Sequence, residues 1–318
     1  MSDTDQSHGT VHTVTGPIDP SSLGVTYVHE HMLCNAPPAM QATSGGIDLL
    51  LDDEDASSAE LELFKQAGGS AVIDLTCKEY GRDIEGLQRL SQRTGIHLVA
   101  ATGHIMEGYW TGVLDIASRS DNDLVDEMVQ DLTEGLDGTS ICAGVIKVGS
   151  SKDKVTVDEE RMIRAAVEAQ RQTGAPISTH TSAGTMGPAQ AEIFLGAKAD
   201  MDHVIIGHLD RNLVWADHLA VARSGARMGY DCISKEHYQP DSLRVDFIKR
   251  MCEAGFADRI CFSGDLARRS YLTSYGGGPG MTYILWRFVP WLRQEGVTDE
   301  QIHGFLVGNP GRQFTFTH

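Results

Sequence analysis

Four histidines and one aspartate stand at the ends of apolar segments, where they could share a metal ion. His29 and His31 end the segment TYVHEH, and both rings can reach one point because side chains two apart in a strand point to the same side. His180 ends PISTH, His208 ends VIIGH, and Asp265 follows ICFSG. Taken alone, each histidine is more often a hydrogen-bonded structural residue, and the aspartate is a common helix N-cap. Together they form a ligand set for divalent metals such as zinc.

A lysine lies inside another apolar segment, AGVIKVGS, which makes Lys147 costly to bury. A buried ammonium is unfavourable unless it is neutral or paired, so three explanations compete. The head group extends past the strand end to solvent, the amine forms a Schiff base as in aldolase-type barrels, or the neutral amine adds carbon dioxide to give an anionic carbamate that bridges two cations. The neighbouring metal-type side chains favour the carbamate, because a Schiff-base site does not need them.

Short apolar segments that alternate with helical patterns position these residues. A strand that is apolar along its length, followed by a helix and another such strand, indicates a parallel sheet covered on both faces. Eight such units predict a single (β/α)8 TIM barrel, whose active site lies at the C-terminal ends of the strands. The rival, an open doubly wound sheet, lacks the GxGxxG turn after its first strand. The predicted strands are 25–31, 70–75, 97–102, 142–148, 176–180, 203–208, 227–231 and 260–264.

The charge balance excludes several classes of partner. The chain has 44 acidic and 26 basic side chains, a formal net charge of −18 at pH 7 and a pI near 5.0. A nucleic-acid binder needs a basic face that displaces counterions from phosphates, and an anionic membrane surface would repel this protein for the same reason. We therefore expect a small-molecule substrate, with neither nucleic acid nor a membrane as a partner.

The sequence lacks signals for membrane insertion or export. It has no run of about 18 apolar residues, and its polar first ten residues do not match a signal peptide. Its six cysteines lie far apart without CxxC pairs, which indicates reduced thiols in a cytoplasmic protein. No Pro- or Ser-rich linker divides the chain, so residues 1–318 are expected to form a single domain, with 1–12 as a flexible N-terminal segment.

Apolar residues near the C-terminus bear on the oligomeric state. Trp286, Phe288, Trp291 and Leu292 lie on a predicted helical segment. They are expected to pack in the outer layer of the core, and the alternative is a patch that forms a homodimer.

Motifs along nearly the whole chain resemble one enzyme family. They are LGVTYVHEHM, GVIKVGS, ISTHT, IIGHLDR, FSGD and the terminal GNPGR, within about residues 13 to 314. A His-x-His pair on strand one, a lysine on strand four, histidines on strands five and six and an aspartate on strand eight are similar to the binuclear-metal amidohydrolase superfamily, specifically its phosphotriesterase-related branch. The resemblance implies a metal-dependent hydrolase.

The same resemblance implies a role for each ligand. The implied ligands are His29, His31 and Asp265 for the more buried ion, His180 and His208 for the more exposed ion, and an N6-carboxylated Lys147 that bridges both together with a hydroxide. Zinc is the expected metal, and manganese or cobalt are the alternatives. The two ions lower the pKa of the bridging water, the exposed ion polarises the scissile oxygen, and Asp265 moves the proton toward the leaving group.

The segment after strand eight resembles the part of the family that opens phosphorylated sugar lactones. There, an Arg-x-x-Tyr motif and a lysine in KYxPD after strand seven bind the phosphate. Here the first is present as Arg268 and Tyr271, whereas HYQPD places His237 at the lysine position. A histidine is mostly neutral at pH 7, so a phosphate site is expected to be weaker and pH-dependent, or the substrate differs. Alternatively, Arg268 and Tyr271 only pack in the loop and His237 is solvated.

The expected function is a lactonase, with sugar lactones and phosphorylated sugar lactones as substrates. The alternatives on the same binuclear site are an amidase or carbamate hydrolase and, as a side reaction, a phosphotriesterase. A Schiff-base lyase using Lys147 is a further alternative, and a non-catalytic binding protein fits least. Acyl-homoserine lactones are disfavoured, because His104 stands where family members with that activity have a tyrosine after strand three; Tyr109 or Trp110 could replace it.

Overall fold

The central element of the computed structural model, which describes residues 9–317, is a sheet of eight parallel strands. The strands of the described chain are β1 (Val11–Thr13), β2 (Gly16–Ile18), β3 (Thr26–Glu30), β4 (Cys34–Asn35), β5 (Leu50–Leu51), β6 (Ala71–Asp74), β7 (His97–Gly103), β8 (Val145–Ser150), β9 (Ile177–Thr181), β10 (Val204–Ile206), β11 (Arg227–Tyr230) and β12 (Ile260–Phe262). The sheet runs in chain order through β3, β6, β7, β8, β9, β10, β11 and β12. All eight predicted strands are confirmed.

Helices connect the strands and cover the outside of the sheet. Those of the described chain are α1 (Pro38–Ser44), α2 (Glu54–Gln66), α3 (Ile84–Thr94), α4 (Glu107–Trp110), α5 (Asp121–Thr133), α6 (Val157–Thr173), α7 (Gly187–Ala197), α8 (Trp215–Arg223), α9 (Asp241–Glu253), α10 (Val289–Gln294), α11 (Asp299–His303) and α12 (Asn309–Phe314). α6 illustrates how the sequence sets their ends. Thr156 and Glu159 form a capping box at its start, and Gly174 ends it with a φ of 71°.

The sheet is nearly closed into a barrel between β3 and β12. The backbone N–H of Asp265 donates to the carbonyl oxygen of His29 at 3.1 Å, and the hydroxyl oxygen of Ser263 lies 2.8 Å from the same carbonyl oxygen. Buried apolar side chains such as Val28 and Ile73 fill the interior. The fold is therefore the predicted (β/α)8 TIM barrel, with the strand ends that carry the candidate ligands on one face.

The hairpin of β1 and β2 covers the opposite end of the barrel. Val11 joins the interior apolar cluster together with Phe314 of α12. The flexible segment predicted over residues 1–12 is corrected at its end, because Val11 and His12 belong to β1. Residues 1–8 lie outside the described residues.

The remaining predictions about packing are met in part. Phe288 and Leu292 are buried, and Trp291 packs against the core, whereas Trp286 lies on the outer side of its helical segment and is 53% exposed. The homodimer stays a prediction.

All six cysteines are unpaired, and four of them are buried. Within residues 9–317, no helix is long and apolar enough to cross a membrane.

Candidate metal centre and its cavity

His29 and His31 lie at the C-terminal end of β3 with their ring centroids 5.6 Å apart. Nδ1 of His29 is 2.9 Å from Oδ2 of Asp231, and Nδ1 of His31 is 2.8 Å from the hydroxyl oxygen of Thr76. Their Nε2 atoms are 3.7 and 3.4 Å from Oδ1 of Asp265. A second partner on Nδ1 is the usual device that orients a metal-binding histidine. Both rings are thus set to bind through Nε2.

Asp265 follows β12 in a backbone conformation that is rare for its residue type. Its φ of 47° lies in the left-handed region, and such strain is typical of functional sites. Its loop is held by Glu30, which lies between the two histidines of the His-x-His pair. The buried carboxylate accepts hydrogen bonds from the Ser263 hydroxyl, the Gly264 N–H and the Leu266 N–H at 2.7 to 2.8 Å. One strand therefore supplies two candidate ligands and fixes the loop that carries a third.

Lys147 is enclosed within β8 and only 1% exposed, which rules out an ammonium that extends to solvent. Its Nζ is 3.4 Å from Nε2 of His29 and donates to the carbonyl oxygen of Thr179 at 3.3 Å. Burial lowers the pKa of Lys147 to about 8. The neutral amine, the form that both Schiff-base formation and carboxylation require, is therefore accessible near neutral pH.

His180 and His208 complete the group of imidazoles. Their ring centroids are 4.6 Å apart, and His208 is also 4.6 Å from His29. His208 has a φ of 58°, so it shares the left-handed backbone of Asp265. Nε2 of His180 is 3.1 Å from the hydroxyl of Ser182, whereas His208 is held through Nδ1. The two rings converge on the same centre, with a different nitrogen engaged in each.

The electrostatic environment keeps His29, His180 and Asp265 in the forms that bind cations. Burial lowers the pKa of His29 to about 3, and the charge of Lys147 adds to this. Burial likewise lowers the pKa of His180 well below its usual value. For Asp265, burial raises the pKa, but the charge of Lys235, the hydrogen bond to His31 and the neighbouring imidazoles together outweigh burial and hold the pKa well below the usual range. Neutral imidazoles and an ionised carboxylate are the coordinating species.

The spacing of the donor atoms fits a metal ion. The donors of His29, His31 and Asp265 lie within 4.8 Å of one another. Ligand atoms lie about 2.0–2.2 Å from zinc, so two donors on one ion are about 3–4 Å apart, and the 3.4 and 3.7 Å distances agree with this. Because His180, His208 and Lys147 border the same space, the residues present fit a two-metal centre.

All six predicted ligands line one cavity of about 700 Å³ at the C-terminal face of the barrel. This volume suits a small molecule. Part of the wall is apolar, with Leu49, Ile105 and Met106. Cationic and phenolic side chains complete it, namely Arg211, Lys235, Arg268, Tyr80, Tyr109, Tyr238 and Tyr271.

Of the predicted substrate-binding residues, Arg268 and Tyr271 line this cavity and His237 does not. His237 is exposed on the loop after β11. Two residues earlier, Lys235 is 4% exposed, and its Nζ lies 2.6 Å from Oδ2 of Asp265. This ion pair holds position 235 inside the cavity and leaves position 237 at the surface. The prediction for His237 is therefore corrected: the nearby cation is Lys235.

Of the two aromatic residues that could follow strand three into the site, Tyr109 lines the cavity. Its ring is 6.0 Å from that of His180. Trp110 is buried instead, with its ring 6.4 Å from that of His104.

His104 has a structural partner on each side of its ring. Nδ1 is 2.9 Å from a carboxylate oxygen of Glu79, and Nε2 is 3.3 Å from one of Glu127. Burial by itself lowers the pKa of His104, but these two carboxylates overcome it and raise the pKa to about 9. Glu79 also accepts a hydrogen bond from the N–H of Ile105 at 2.7 Å. The network therefore anchors the loop that forms one wall of the cavity.

Two buried charged residues of the site, Asp231 and Lys235, were not predicted from the sequence. Asp231 ends the predicted strand seven, at the barrel face where the ligands gather, and that position was the available signal. Lys235 follows it within a polar segment, SKEHYQPD, in which nothing distinguishes it from a solvated loop lysine.

Comparisons with known proteins agree with this geometry. A family model described as the phosphotriesterase family matches residues 9–314. The phosphotriesterase homology protein of Escherichia coli, solved with phosphate in its active site, is 33% identical with a TM-score of 0.88, covering 94% of this chain and all of that one. A lactonase from Listeria monocytogenes is 35% identical with a TM-score of 0.93, covering 97% of this chain and all of that one. The N-acetyltaurine hydrolase of Homo sapiens is 30% identical over 346 residues, covering 97% of this chain and 98% of that protein.

Proposed function

The chain belongs to the phosphotriesterase family and is a metal-dependent hydrolase, and we propose that it acts as a lactonase. The observation that carries the proposal is the convergence of six side chains from five strand ends on one cavity, together with the similar lactonase. We assign the activity to one domain over the whole chain, because the barrel strands extend from Thr26 to Phe262.

We propose that the six residues hold two divalent cations. His29, His31 and Asp265 would hold one ion, and His180 and His208 the other. Zinc is the first choice, because an imidazole-rich site with carboxylates suits it, and manganese or cobalt would fit the same donors. Burial lowers the pKa values of His29 and His180, which supports this assignment.

Lys147 is proposed to be N6-carboxylated and to bridge the two ions. Its neutral amine would react with carbon dioxide to form a C–N bond and would release one proton, giving a carbamate anion that could bind the cations. The supporting observations are its burial, the pKa lowered to about 8 by that burial, and its position 3.4 Å from Nε2 of His29. A Schiff-base lyase would use the same neutral amine, but it gives no role to the surrounding histidines.

The reaction we propose is attack of water on the lactone carbonyl carbon, with opening of the ring C–O bond. When bound, the two cations would lower the pKa of the water and polarise the carbonyl oxygen. Asp265 accepts the proton of the attacking water and delivers it to the ring oxygen as that bond breaks. The low pKa of Asp265 keeps its carboxylate ionised, which is the only form that can accept a proton.

An anionic group on the substrate would bind at the cationic part of the wall. Lys235, Arg211 and Arg268 line the cavity with Tyr238 and Tyr271. Arg211 also stacks on the ring of Tyr238 at 3.9 Å, which keeps its guanidinium plane fixed. A phosphorylated sugar lactone carries such a group, and the similar protein from Escherichia coli holds phosphate in its active site.

The second candidate is an amidase, which would use the same carbonyl attack on a C–N bond. The similarity to N-acetyltaurine hydrolases favours it, because an acyl amide with an anionic end would fit the same cationic wall. Carbamate hydrolysis and phosphotriester hydrolysis require the same cations and are proposed only as weaker activities.

A substrate panel separates these candidates. Neutral lactones, phosphorylated sugar lactones, N-acyl amides with a sulfonate or carboxylate end, aryl carbamates and aryl phosphotriesters are compared by kcat/KM. A lactone is expected to give the highest value, and an amide preferred by orders of magnitude would replace the lactonase by the amidase.

The proposed ligand is a small-molecule substrate, and neither nucleic acid nor an anionic membrane is proposed as a partner, since the net charge of −18 disfavours both. A cytoplasmic location is proposed as well, and the six unpaired cysteines suit a reducing compartment.

A further inference from the structure

Asp231 follows β11 and contacts two histidines from different halves of the proposed metal centre. Its Oδ2 is 2.9 Å from Nδ1 of His29, and its Oδ1 is 2.7 Å from Nδ1 of His208. Oδ1 also accepts the backbone N–H of His208 at 2.8 Å. The aspartate is 1% exposed, so water does not compete for these contacts. One carboxylate therefore joins two rings that would bind different ions.

Two glycines leave room for this carboxylate. A Cβ atom at Gly207 would lie 2.4 Å from the carbonyl oxygen of Thr179 and 2.9 Å from Oδ2 of Asp231, and one at Gly229 would lie 3.0 Å from the same Oδ2. The two contacts at Gly207 are closer than real Cβ atoms come to other atoms, and the contact at Gly229 is tighter than most Cβ contacts. The absence of side chains at Gly207 and Gly229 therefore provides the space that the carboxylate of Asp231 occupies.

A buried group of three charged residues, outside the cavity, holds the loop of Asp231. The carboxylate of Asp210 accepts the backbone N–H groups of Asp231 and Cys232, at 3.2 and 3.1 Å. The guanidinium of Arg244 on α9 donates to Asp210 at 2.8 Å and to Asp241 at 2.8 Å. These three charged side chains are fully buried and paired, so breaking the pair would leave an unpaired charge. The direction of Asp231 is thus fixed by residues that do not line the cavity.

We propose that Asp231 is a positioning residue that couples the two halves of the metal centre. It fixes His29 and His208 together as Nδ1–H tautomers, so that the lone pair of each Nε2 faces an ion. The inference rests on the proposed two-metal site. Thr76 is the matched comparison within the same centre, because its hydroxyl contacts one ligand histidine, His31, whereas Asp231 contacts two. Removing such an outer partner typically lowers metal affinity about 10- to 100-fold.

The test compares Asp231→Ala with Thr76→Val. Metal-free protein is titrated with zinc against a competing chelator, and the two stepwise affinities are measured. Asp231→Ala is expected to weaken both steps by about 10- to 100-fold, and Thr76→Val only one of them. Wild-type affinity at either step in Asp231→Ala, or equal loss at both steps in Thr76→Val, would overturn the coupling. A wild-type protein that binds no metal would refute the proposed function instead.

A measurement on the wild type covers the case in which Asp231→Ala does not fold. The zinc-loaded protein, labelled with ¹⁵N in its histidine rings, is studied by long-range ¹H–¹⁵N correlation. Both His29 and His208 are expected to carry their proton on Nδ1. A proton on Nε2 of either ring would overturn the proposal.

Discussion

The ammonium of Lys235 lies 2.6 Å from the carboxylate of Asp265, and the two residues come from loops that follow neighbouring strands. Both side chains also line the cavity. One cation therefore stands beside the proposed proton carrier and within the wall proposed to bind a substrate anion. Lys235 therefore places a cation in the cavity wall although the chain carries a net charge of −18.

Replacing Lys235 is expected to separate charged from neutral substrates. A hydrogen bond to a charged group contributes about 1.5–3 kcal/mol, so Lys235→Met should lower kcat/KM for a phosphorylated lactone about 10- to 150-fold more than for a neutral lactone. The matched control is Lys249→Met, a lysine on α9 that pairs with Glu295 at the surface. Equal losses for the two substrates would contradict a role in anion binding.

Lys147→Ala should abolish metal binding, because the variant removes the proposed bridge between the ions. Metal content per chain is measured after gel filtration, and added bicarbonate with metal should not restore it. In the wild type, ¹³C-labelled bicarbonate should give a carbamate carbon signal that the variant lacks. Lys152→Ala is the control, since this lysine is exposed. Two ions per chain in Lys147→Ala would show that no such bridge is needed.

His104 should make stability depend on pH on the alkaline side. Its pKa is raised from about 6.5 in the unfolded chain to about 9 in the folded protein, so its stabilising contribution is complete below pH 6.5 and is lost as pH rises through 9. The shift corresponds to on the order of 3 kcal/mol. Urea unfolding of His104→Gln should show lower stability near pH 6.5 and a smaller loss between pH 6.5 and 9.

The control for this change is His303→Gln, at an exposed histidine of α11. It should follow the wild-type profile. If His104→Gln loses as much stability between pH 6.5 and pH 9 as the wild type does, Glu79 and Glu127 do not raise the pKa of His104.

Much of the fold was predictable from the sequence because its determinants are local. Parallel strands that are buried on both faces are apolar along their length, and each one carries its own signal. Lys147 was recognisable for the same reason, since a lysine inside such a strand is conspicuous. The candidate ligands His180 and His208 were placed by the strands that precede them.

The residues that sequence reasoning missed depend on partners far along the chain. Lys235 is buried because Asp265, 30 residues later, lies opposite it. Asp231 matters because it meets His29, which is 202 residues away. His237 has the motif position of a substrate-binding lysine, yet it is exposed, and Lys235 lines the cavity instead. These contacts between distant parts of the chain form only when the barrel closes, so no local sequence pattern predicts them.

Metal analysis of the purified protein is the most direct test of a two-metal hydrolytic centre. Elemental analysis should give close to two zinc, manganese or cobalt ions per chain, and a chelator should remove both the ions and the activity. Adding metal back should restore both. A protein that contains no metal, with an activity that chelators leave unchanged, would contradict a two-metal centre.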